Sequence, residues 1–169
     1  DNALRDWNEK WIEQFIIKED CIFVSFHSPR LFWTLLDAGR NKGWKFERYF
    51  TLYKPNDMTF AWNSWLGVSE SILLFTKGKP KFNSERPNDT SFWRDTYEWS
   101  HKGLVLNETV ADRQRLNHPS IKPIPVCQDL IWKTSFYKEI IYESFGGSGS
   151  TLIACEKLNR KCRMMEIDP

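Results

Sequence analysis

The stretch KEIIYESFGGSGSTLIACEKLNRKCRMMEIDP, residues 138–169, has the pattern of a strand, a glycine-rich turn, a helix and a second strand. The apolar run at 140–142 predicts a buried parallel strand that ends at Glu143. The glycines of FGGSGST allow positive φ angles and let backbone N–H groups approach a ligand. The residues that follow predict a helix with its N-terminus at the turn, which Asn159 is placed to end in the left-handed conformation. This stretch therefore predicts a βαβ ligand site.

The type of ligand follows from what surrounds the glycines. The second strand is predicted over residues 162–167, with Glu166 near its end. An acid roughly 20 residues beyond such a turn is what a βαβ unit uses to bind ribose hydroxyls. The turn is not a Walker phosphate loop, because no Lys follows its last Gly, and Leu152 stands where a dinucleotide fingerprint has its third glycine. The predicted ligand is an adenosine compound without a strong pyrophosphate cradle.

Composition sets the broad class of the protein. The chain has 169 residues, 41% hydrophobic and 27% charged, which predicts one soluble globular domain. A net charge of +2 is too small to argue for a polyanionic partner by itself. No apolar segment is long enough for a membrane helix, and no signal peptide is visible. Four cysteines lack CxxC spacing, so we expect reduced core thiols in a cytoplasmic protein and no metal site: Cys21, Cys127, Cys155 and Cys162.

The first third of the chain predicts a helix, a strand and a second helix. Residues 3–17 place four apolar side chains on one helical face: Leu4, Trp7, Trp11 and Phe15. Residues 21–28 form an apolar strand. Ser28 is predicted as N-cap and Pro29 as the first position of a helix that runs to Ala38 and is ended by Gly39. We interpret His27, at the end of the strand, as a structural histidine.

Two further strands are predicted before residue 80. Residues 44–53 alternate as a strand does, with Phe46, Phe50 and Leu52 as inward candidates. Residues 72–75 form a buried apolar strand. Together with the preceding elements, this pair predicts an α/β sheet that ends in an antiparallel hairpin.

The middle of the chain changes character. Residues 79–117 are polar and turn-rich, with aromatic residues interleaved among arginines. Such side chains suit phosphate contacts and stacking on bases, although acids nearly balance the bases here and an ordinary surface insertion stays open. The candidate DNA contacts are Arg86, Trp93, Arg94, Arg113 and Arg115. HPSIKP at 118–123 is a stiff segment bounded by prolines, either a simple linker or a part of the ligand site.

These segments together resemble the permuted, β-group amino DNA methyltransferases over nearly the whole chain. The glycine stretch matches the pattern DPFxGSGTTLxAxxxLxRxxxGIEIDP, with Glu143 and Ser144 where that family has Asp and Pro. HPSIKP matches the family's HPxxKP ahead of the glycine motif. Weaker matches follow the family's order at 26–28, 37–39, 53–56 and 70–79.

The resemblance implies a cofactor and a reaction. Members of the family transfer a methyl group from S-adenosylmethionine (SAM) to the exocyclic amino group of a flipped adenine or cytosine, and adenine is the expected target. Glu143 would bind the methionine amino group, Lys122 would lie near the cofactor's carboxylate, and Glu166 would bind the ribose, with Asp168 in reserve. Ser150 or Thr151 would cap the helix. The complete set of cofactor residues implied is Lys122, Glu143, Phe145, Gly147, Gly149, Ser150, Thr151, Glu166 and Asp168.

The resemblance also implies an incomplete enzyme. The family's catalytic D/N/S-P-P-Y/F/W motif does not occur in this sequence and would lie upstream of Asp1, so no catalytic residue is predicted. The expected fold is a Rossmann-like methyltransferase sheet with an antiparallel hairpin at one edge and a missing central strand. The chain is expected to bind SAM weakly and not to methylate. The expected divisions are a catalytic half at 1–78, a target-recognition region at 79–117 and a cofactor half at 118–169.

Partners and rival functions complete the expectations. Double-stranded DNA is the implied partner, and the resemblance is compatible with a homodimer and a cognate restriction endonuclease. The rivals are a cytosine amino methyltransferase and a non-catalytic DNA-binding relic of the scaffold. Less favoured are a nucleotide-dependent oxidoreductase and a methyltransferase acting on RNA or small molecules, a class that more often runs in the unpermuted order.

Overall fold

The computed structural model describes residues 2–15, 20–53, 69–84, 97–100, 103–107 and 121–167. The chain divides into two compact units, Asp1–Pro80 and Lys81–Pro169. The described elements of the first unit are α1 (Asn2–Glu13), β1 (Cys21–His27), α2 (Phe32–Asn41), β2 (Lys45–Tyr53) and β3 (Ser69–Lys77). Those of the second unit are β4 (Tyr97–Ser100), β5 (Gly103–Asn107), α3 (Ile124–Thr134), β6 (Ile140–Glu143), α4 (Ser150–Lys157) and β7 (Lys161–Met164).

The first unit is built on β3, which pairs antiparallel with β1 on one side and β2 on the other. The register places Phe23 and Phe46 opposite Phe75, and their rings lie 5.4 and 5.7 Å from its ring. Helices α1 and α2 supply the rest of this core. The buried residues of the cluster are Ile12, Leu35, Ala38, Trp44, Leu73 and Phe75.

A β-bulge in β2 separates side chains that alternation predicts on one face. The register shifts between Phe46 and Arg48, so Phe46 shares the face of Phe75 while Phe50 and Leu52 lie on the opposite face. Phe46 therefore packs against the core and Leu52 is buried, as predicted, but on opposite faces of the sheet. Because Leu52 is fully buried, both faces of the sheet are covered.

Helix α1 packs Trp11 against the core, as Phe15 just beyond it does, both as predicted, but its most buried face is shifted from the predicted one. It ends at Glu13, short of the predicted residue 17, and residues 16–19 lie outside the described part of the chain. Its buried residues are Asn8 and Ile12, whereas Trp7 is 49% exposed. Asn8 is buried because its amide is satisfied: Trp11 Nε1 donates to its oxygen (3.1 Å), and its nitrogen donates to Thr34 Oγ1 (3.1 Å).

Helix α2 begins later than predicted. Pro29 lies in a turn in which Leu31 N donates to Ser28 O (3.0 Å) and Arg30 N to Ser28 Oγ (3.3 Å). Ser28 therefore closes a turn, and the helix itself begins at Phe32.

Gly39 does not end α2, as the sequence led us to expect. It lies inside the helix, where a Cβ atom would come within 2.8 Å of the Phe75 ring. The helix ends instead at a Schellman motif, with Gly43 at φ 77°. Trp44 N donates to Gly39 O (2.9 Å), and Gly43 N donates to Arg40 O (3.0 Å).

The second unit contains an antiparallel hairpin, β4–β5, and a parallel pair, β6–β7, joined by α4. Helix α3 packs on α4 through a core of Cys127, Ile131, Ala154, Cys155 and Leu158. All four cysteines of the chain are free, and Cys127 and Cys155 are the buried thiols that the sequence predicted.

Strand β6 is buried on one face only. Ile141 packs against the helical core, whereas Ile140 and Tyr142 are 60% and 54% exposed. The prediction of a fully buried strand was wrong for those two side chains, because the described helices of this unit lie against the other face.

The fold class agrees with the sequence prediction. Strands β2 and β3 form the expected antiparallel hairpin, and β6, α4 and β7 form the expected βαβ unit. Among the described residues, β1 has no strand partner other than β3 and β6 none other than β7, as an incomplete sheet predicts. No helix in the described ranges is long and apolar enough to cross a membrane.

Candidate functional site

The site begins where two parallel strands end side by side. Glu143, the last residue of β6, pairs with Met164, the last residue of β7. Backbone hydrogen bonds continue beyond both strands, from Met165 N to Glu143 O (2.9 Å) and from Gly146 N to Met165 O (2.8 Å). The glycine turn is thereby attached to the end of β7, at the sheet edge where α/β proteins bind ligands.

Gly146 allows this close approach. A Cβ atom there would lie 2.6 Å from Met164 Cγ, 2.7 Å from its Sδ and 3.0 Å from Met165 O. Any side chain would therefore push the turn away from the strand. From the sequence, Gly147 and Gly149 were predicted to contact the ligand, whereas this packing role of Gly146 was not predicted, although the double glycine in FGG was the available signal.

Gly147 and Gly149 adopt the positive φ angles that the sequence predicted, 50° and 79°. Gly149 is the N-cap of α4, without a side-chain cap. The prediction that Ser150 or Thr151 caps the helix was wrong, because both lie inside its first turn. Ser150 Oγ instead lies 3.2 Å from Ser148 Oγ.

The carboxylate of Glu143 connects the two ends of the turn. Phe145 N donates to Glu143 Oε1 (2.9 Å), and Thr151 Oγ1 donates to Oε2 (2.9 Å). The side chain of Phe145 is 55% exposed beside it. Glu143 is therefore fixed against the first turn of α4, where a helix N-terminus favours negative charge.

The carboxylate of Glu166 lies on the other side of the turn. Gly147 N donates to Glu166 Oε2, and Ile167 N donates to Oε1 (2.9 Å). Asp168, the reserve candidate for the ribose, lies outside the described residues.

Lys122 is half-buried just ahead of α3. Burial, with a smaller contribution from the negative charge of Glu143, raises the pKa of the Cys127 thiol to about 12, and the positive charge of Lys122 opposes this rise. Glu143 and Lys122 thus act with opposite sign on the same buried thiol.

Arg160 lies beyond the C-terminal end of α4, and its structural role was not predicted. Its side chain is buried and donates to Ser135 Oγ (3.2 Å), Ser135 O (2.9 Å) and Leu158 O (2.7 Å). Its guanidinium also lies 4.9 Å from the centre of the Trp132 ring. These contacts join the end of α3 to the end of α4. By composition, an arginine in the polar run LNRK is expected to be exposed; the one signal for a structural role was its match to the Arg of the family pattern quoted above.

Other predicted residues fall elsewhere. The five candidate DNA contacts, Arg86, Trp93, Arg94, Arg113 and Arg115, lie outside the described residues. His27 belongs to the first unit, where its Nδ1 accepts from Ser28 N (2.9 Å) and its Nε2 lies 3.4 Å from Thr34 Oγ1. Within the described ranges, no three acidic, His or Cys side chains are grouped to hold a metal ion.

The arrangement discriminates between ligand classes by charge. Carboxylates bracket the glycine turn, one at Gly147 N and one beside the first turn of α4. A phosphate group would be repelled by both, whereas a ligand with cationic and hydroxyl groups would complement them. The turn therefore suits a cationic nucleoside better than a dinucleotide.

Comparison with known proteins agrees with this geometry. The sequence model of the N6/N4 methyltransferases, described as DNA methylase, matches residues 2–169. The chain belongs to the N6/N4 DNA methylase family. Among its relatives, the Type II methyltransferase M.BamHI of Bacillus amyloliquefaciens is 26% identical over 181 residues, a match that covers 92% of this chain. This N6/N4 methylase chain spans 41% of the length of M.BamHI.

Solved structures share the fold of this N6/N4 methylase chain. The M1.HpyAVI–SAM complex superposes with a TM-score of 0.72 at 20% identity, covering 97% of this chain and 76% of the other. The cytosine-N4-specific PvuII DNA methyltransferase gives a TM-score of 0.75 at 16% identity, covering 98% of this chain and 66% of the other. At these identities the similarity establishes the fold.

Proposed function

We propose that this chain binds SAM at its glycine turn and takes part in methyl transfer to the exocyclic amino group of adenine or cytosine in DNA. One observation carries the proposal: two carboxylates, Glu143 and Glu166, are fixed on either side of one glycine turn. Membership of the N6/N4 DNA methylase family supplies the class of reaction.

The charges of the site complement SAM. The cofactor carries a sulfonium, an ammonium, a carboxylate and a ribose diol, and the sulfonium supplies the methyl group when it is bound. We assign Glu143 to the ammonium, Glu166 to the ribose hydroxyls and Lys122 to the carboxylate. Gly147 and Gly149 provide close backbone approach, with Phe145 exposed beside them as an aromatic contact for the cofactor. We propose no direct cofactor contact through Ser150.

The target base is proposed at the level of the family. We retain adenine as the expected target and cytosine as the alternative; the PvuII enzyme named above is cytosine-specific. The 169 residues contain no Pro-Pro pair, so the family's D/N/S-P-P-Y/F/W motif does not occur among them. We therefore assign none of these residues to the target amine.

A titration tests the cofactor assignment. SAM should bind the folded chain, and Glu166→Ala should weaken binding by roughly 100-fold, since each charge-assisted hydrogen bond contributes on the order of 1.5–3 kcal/mol and paired losses are not additive. Glu156→Ala, which removes an exposed acid from α4, is the matched control and should bind normally. Binding of NADH without SAM would favour the oxidoreductase, and binding of neither by a folded chain would favour the relic.

Cells that carry the gene test the reaction. Genomic DNA is digested to nucleosides and analysed by mass spectrometry, with and without disruption of the gene that encodes this chain. Loss of N6-methyladenine on disruption would identify adenine, and loss of N4-methylcytosine would identify cytosine. If neither nucleoside changes, the proposed reaction is refuted.

DNA is the proposed partner, bound through the arginines and Trp93 at 86–115. Removing Arg113 and Arg115 together should weaken duplex binding at all sequences and reduce its salt dependence, because phosphate contacts release counterions. If the affinity and the salt dependence of duplex binding are both unchanged, these two residues do not contact DNA. We also propose action in the cytoplasm; a homodimer and a cognate restriction endonuclease stay predictions.

A further inference from the structure

The hydroxyl of Thr151 contacts the acid assigned to the cofactor. Thr151 Oγ1 donates to Glu143 Oε2 at 2.9 Å, and Phe145 N donates to the other oxygen at 2.9 Å. We propose that Thr151 is a positioning residue: it does not touch the cofactor but fixes the Glu143 carboxylate for the methionine ammonium. This inference rests on the proposed function.

The geometry supports positioning because the two donors come from opposite ends of the turn. Phe145 follows β6 directly, whereas Thr151 is the second residue of α4. A carboxylate has about four acceptor sites, so each Glu143 oxygen keeps a lone pair for an ammonium while the two donors hold its orientation. Neither donor neutralises the negative charge, which stays available to a cation.

The length of the acid matters for this arrangement. The family pattern has Asp where this chain has Glu143, and Glu is longer by one methylene. From the end of β6, that extra length lets the carboxylate reach the Thr151 hydroxyl on the helix while it accepts from Phe145 N. The family pattern also has Thr at this position, so the pairing is not peculiar to Glu; in this chain, replacing Glu143 by the shorter Asp should weaken the contact with Thr151.

A merely structural role for Thr151 makes a different prediction. If its hydroxyl only tethers α4 to β6, its loss should loosen the whole turn and weaken every adenosine ligand alike. If it positions Glu143, its loss should weaken only ligands that carry the amino acid part. SAM has that part, whereas 5′-methylthioadenosine keeps the adenosine and sulfur but lacks it.

The test compares the two probes by calorimetry on the full chain. Thr151→Val removes the donor at nearly constant shape and should weaken SAM binding by roughly 10-fold, about the lower limit for a hydrogen bond to a charged group. Binding of 5′-methylthioadenosine should change by less than about 2-fold, within ordinary mutational scatter. Thr151→Ser, which keeps the donor, should restore SAM affinity. Thr134→Val, the same change on α3, is the matched control, and its hydroxyl donates only within the helix, to Leu130 O.

Glu143→Asp provides a second route if Thr151→Val does not fold. It should reproduce the selective loss of SAM affinity, and combining it with Thr151→Ser should add little further loss. Equal weakening of both probes, unchanged SAM binding by Thr151→Val, or failure of Thr151→Ser to restore affinity would overturn the inference and leave the proposed function standing. If the folded wild-type chain binds neither probe, the proposed function and this inference both fall.

Discussion

Gly146→Ala should destabilise the second unit through one identifiable clash. The new Cβ would lie 2.6 and 2.7 Å from Met164 Cγ and Sδ, and 3.0 Å from the backbone oxygen of Met165. Overpacking of this kind costs about 1–3 kcal/mol, and we expect the upper half of that range because the Met165 oxygen, bonded to Gly146 N, cannot retreat freely. Met164→Ala removes both side-chain atoms of the clash. The contact with the Met165 oxygen stays, so Gly146→Ala should still cost about 1 kcal/mol in that background, at the lower end of the range rather than in its upper half.

Urea denaturation followed by circular dichroism measures the free energy of unfolding of the wild type, the two single variants and the double variant. Gly149→Ala is the matched control, because its Cβ would meet no atom within 4 Å but its φ is 79°. It should cost about 1–2 kcal/mol from left-handed strain, equally with and without Met164→Ala. If the effects of Gly146→Ala and Met164→Ala on the free energy of unfolding prove additive, the proposed contact between the turn and β7 is wrong.

Three further predictions concern the scaffold. Burial lowers the pKa of His27 below its ordinary 6.5. The contribution of His27 to stability is therefore complete above pH 6.5 and declines as the pH falls from 6.5 through the folded-state pKa. In denaturation measured as a function of pH, His27→Gln should remove this decline. Gly39→Ala should lower the free energy of unfolding despite a helix-propensity gain of about 1 kcal/mol, since overpacking against the fully buried Phe75 ring costs about 1–3 kcal/mol; a neutral or stabilising result in urea denaturation would contradict this. Arg160→Lys should lower the free energy of unfolding by about 2–4 kcal/mol, because lysine cannot reproduce three hydrogen bonds from one planar group. Thermal unfolding measures this change, and a value below about 0.5 kcal/mol would show that the buried contacts are dispensable.

The βαβ unit was predictable because its signals are local. Positive φ at Gly147, Gly149 and Asn159 follows from residue type within a few positions, and the structure has all three. The strand bounds at 140–143 follow from an apolar run that ends in an acid. Sequence was also sufficient to place Glu143 and Glu166 at neighbouring strand ends, since parallel strands joined by one helix must end at the same edge.

Long-range packing could not be read in the same way. Gly39 has the residue type of a helix terminator, but contact with Phe75, which lies far along the chain, makes it a packing glycine. The bulge at Phe46 likewise reverses the faces of Phe50 and Leu52, and no residue type in β2 announces it. Arg160 is buried among three acceptors and an aromatic ring, and of these partners Ser135 and Trp132 are brought near it only by the tertiary structure.

The hydrogen bonds of Glu166 change what its replacement should reveal. Its two oxygens accept from Gly147 N and Ile167 N, and a carboxylate has about four acceptor sites in all, enough for a ribose hydroxyl as well. The carboxylate is therefore oriented before the cofactor arrives, which lowers the ordering cost of binding. In Glu166→Gln, the amide nitrogen can accept neither backbone N–H, so one of the two orienting contacts must be lost. We expect this variant to bind SAM between wild type and Glu166→Ala, about 10-fold weaker than wild type if half the roughly 100-fold effect is lost on a free-energy scale. Titration of the three proteins in parallel decides the matter: a glutamine variant as tight as wild type would show that neither the charge nor the second acceptor of Glu166 serves the cofactor.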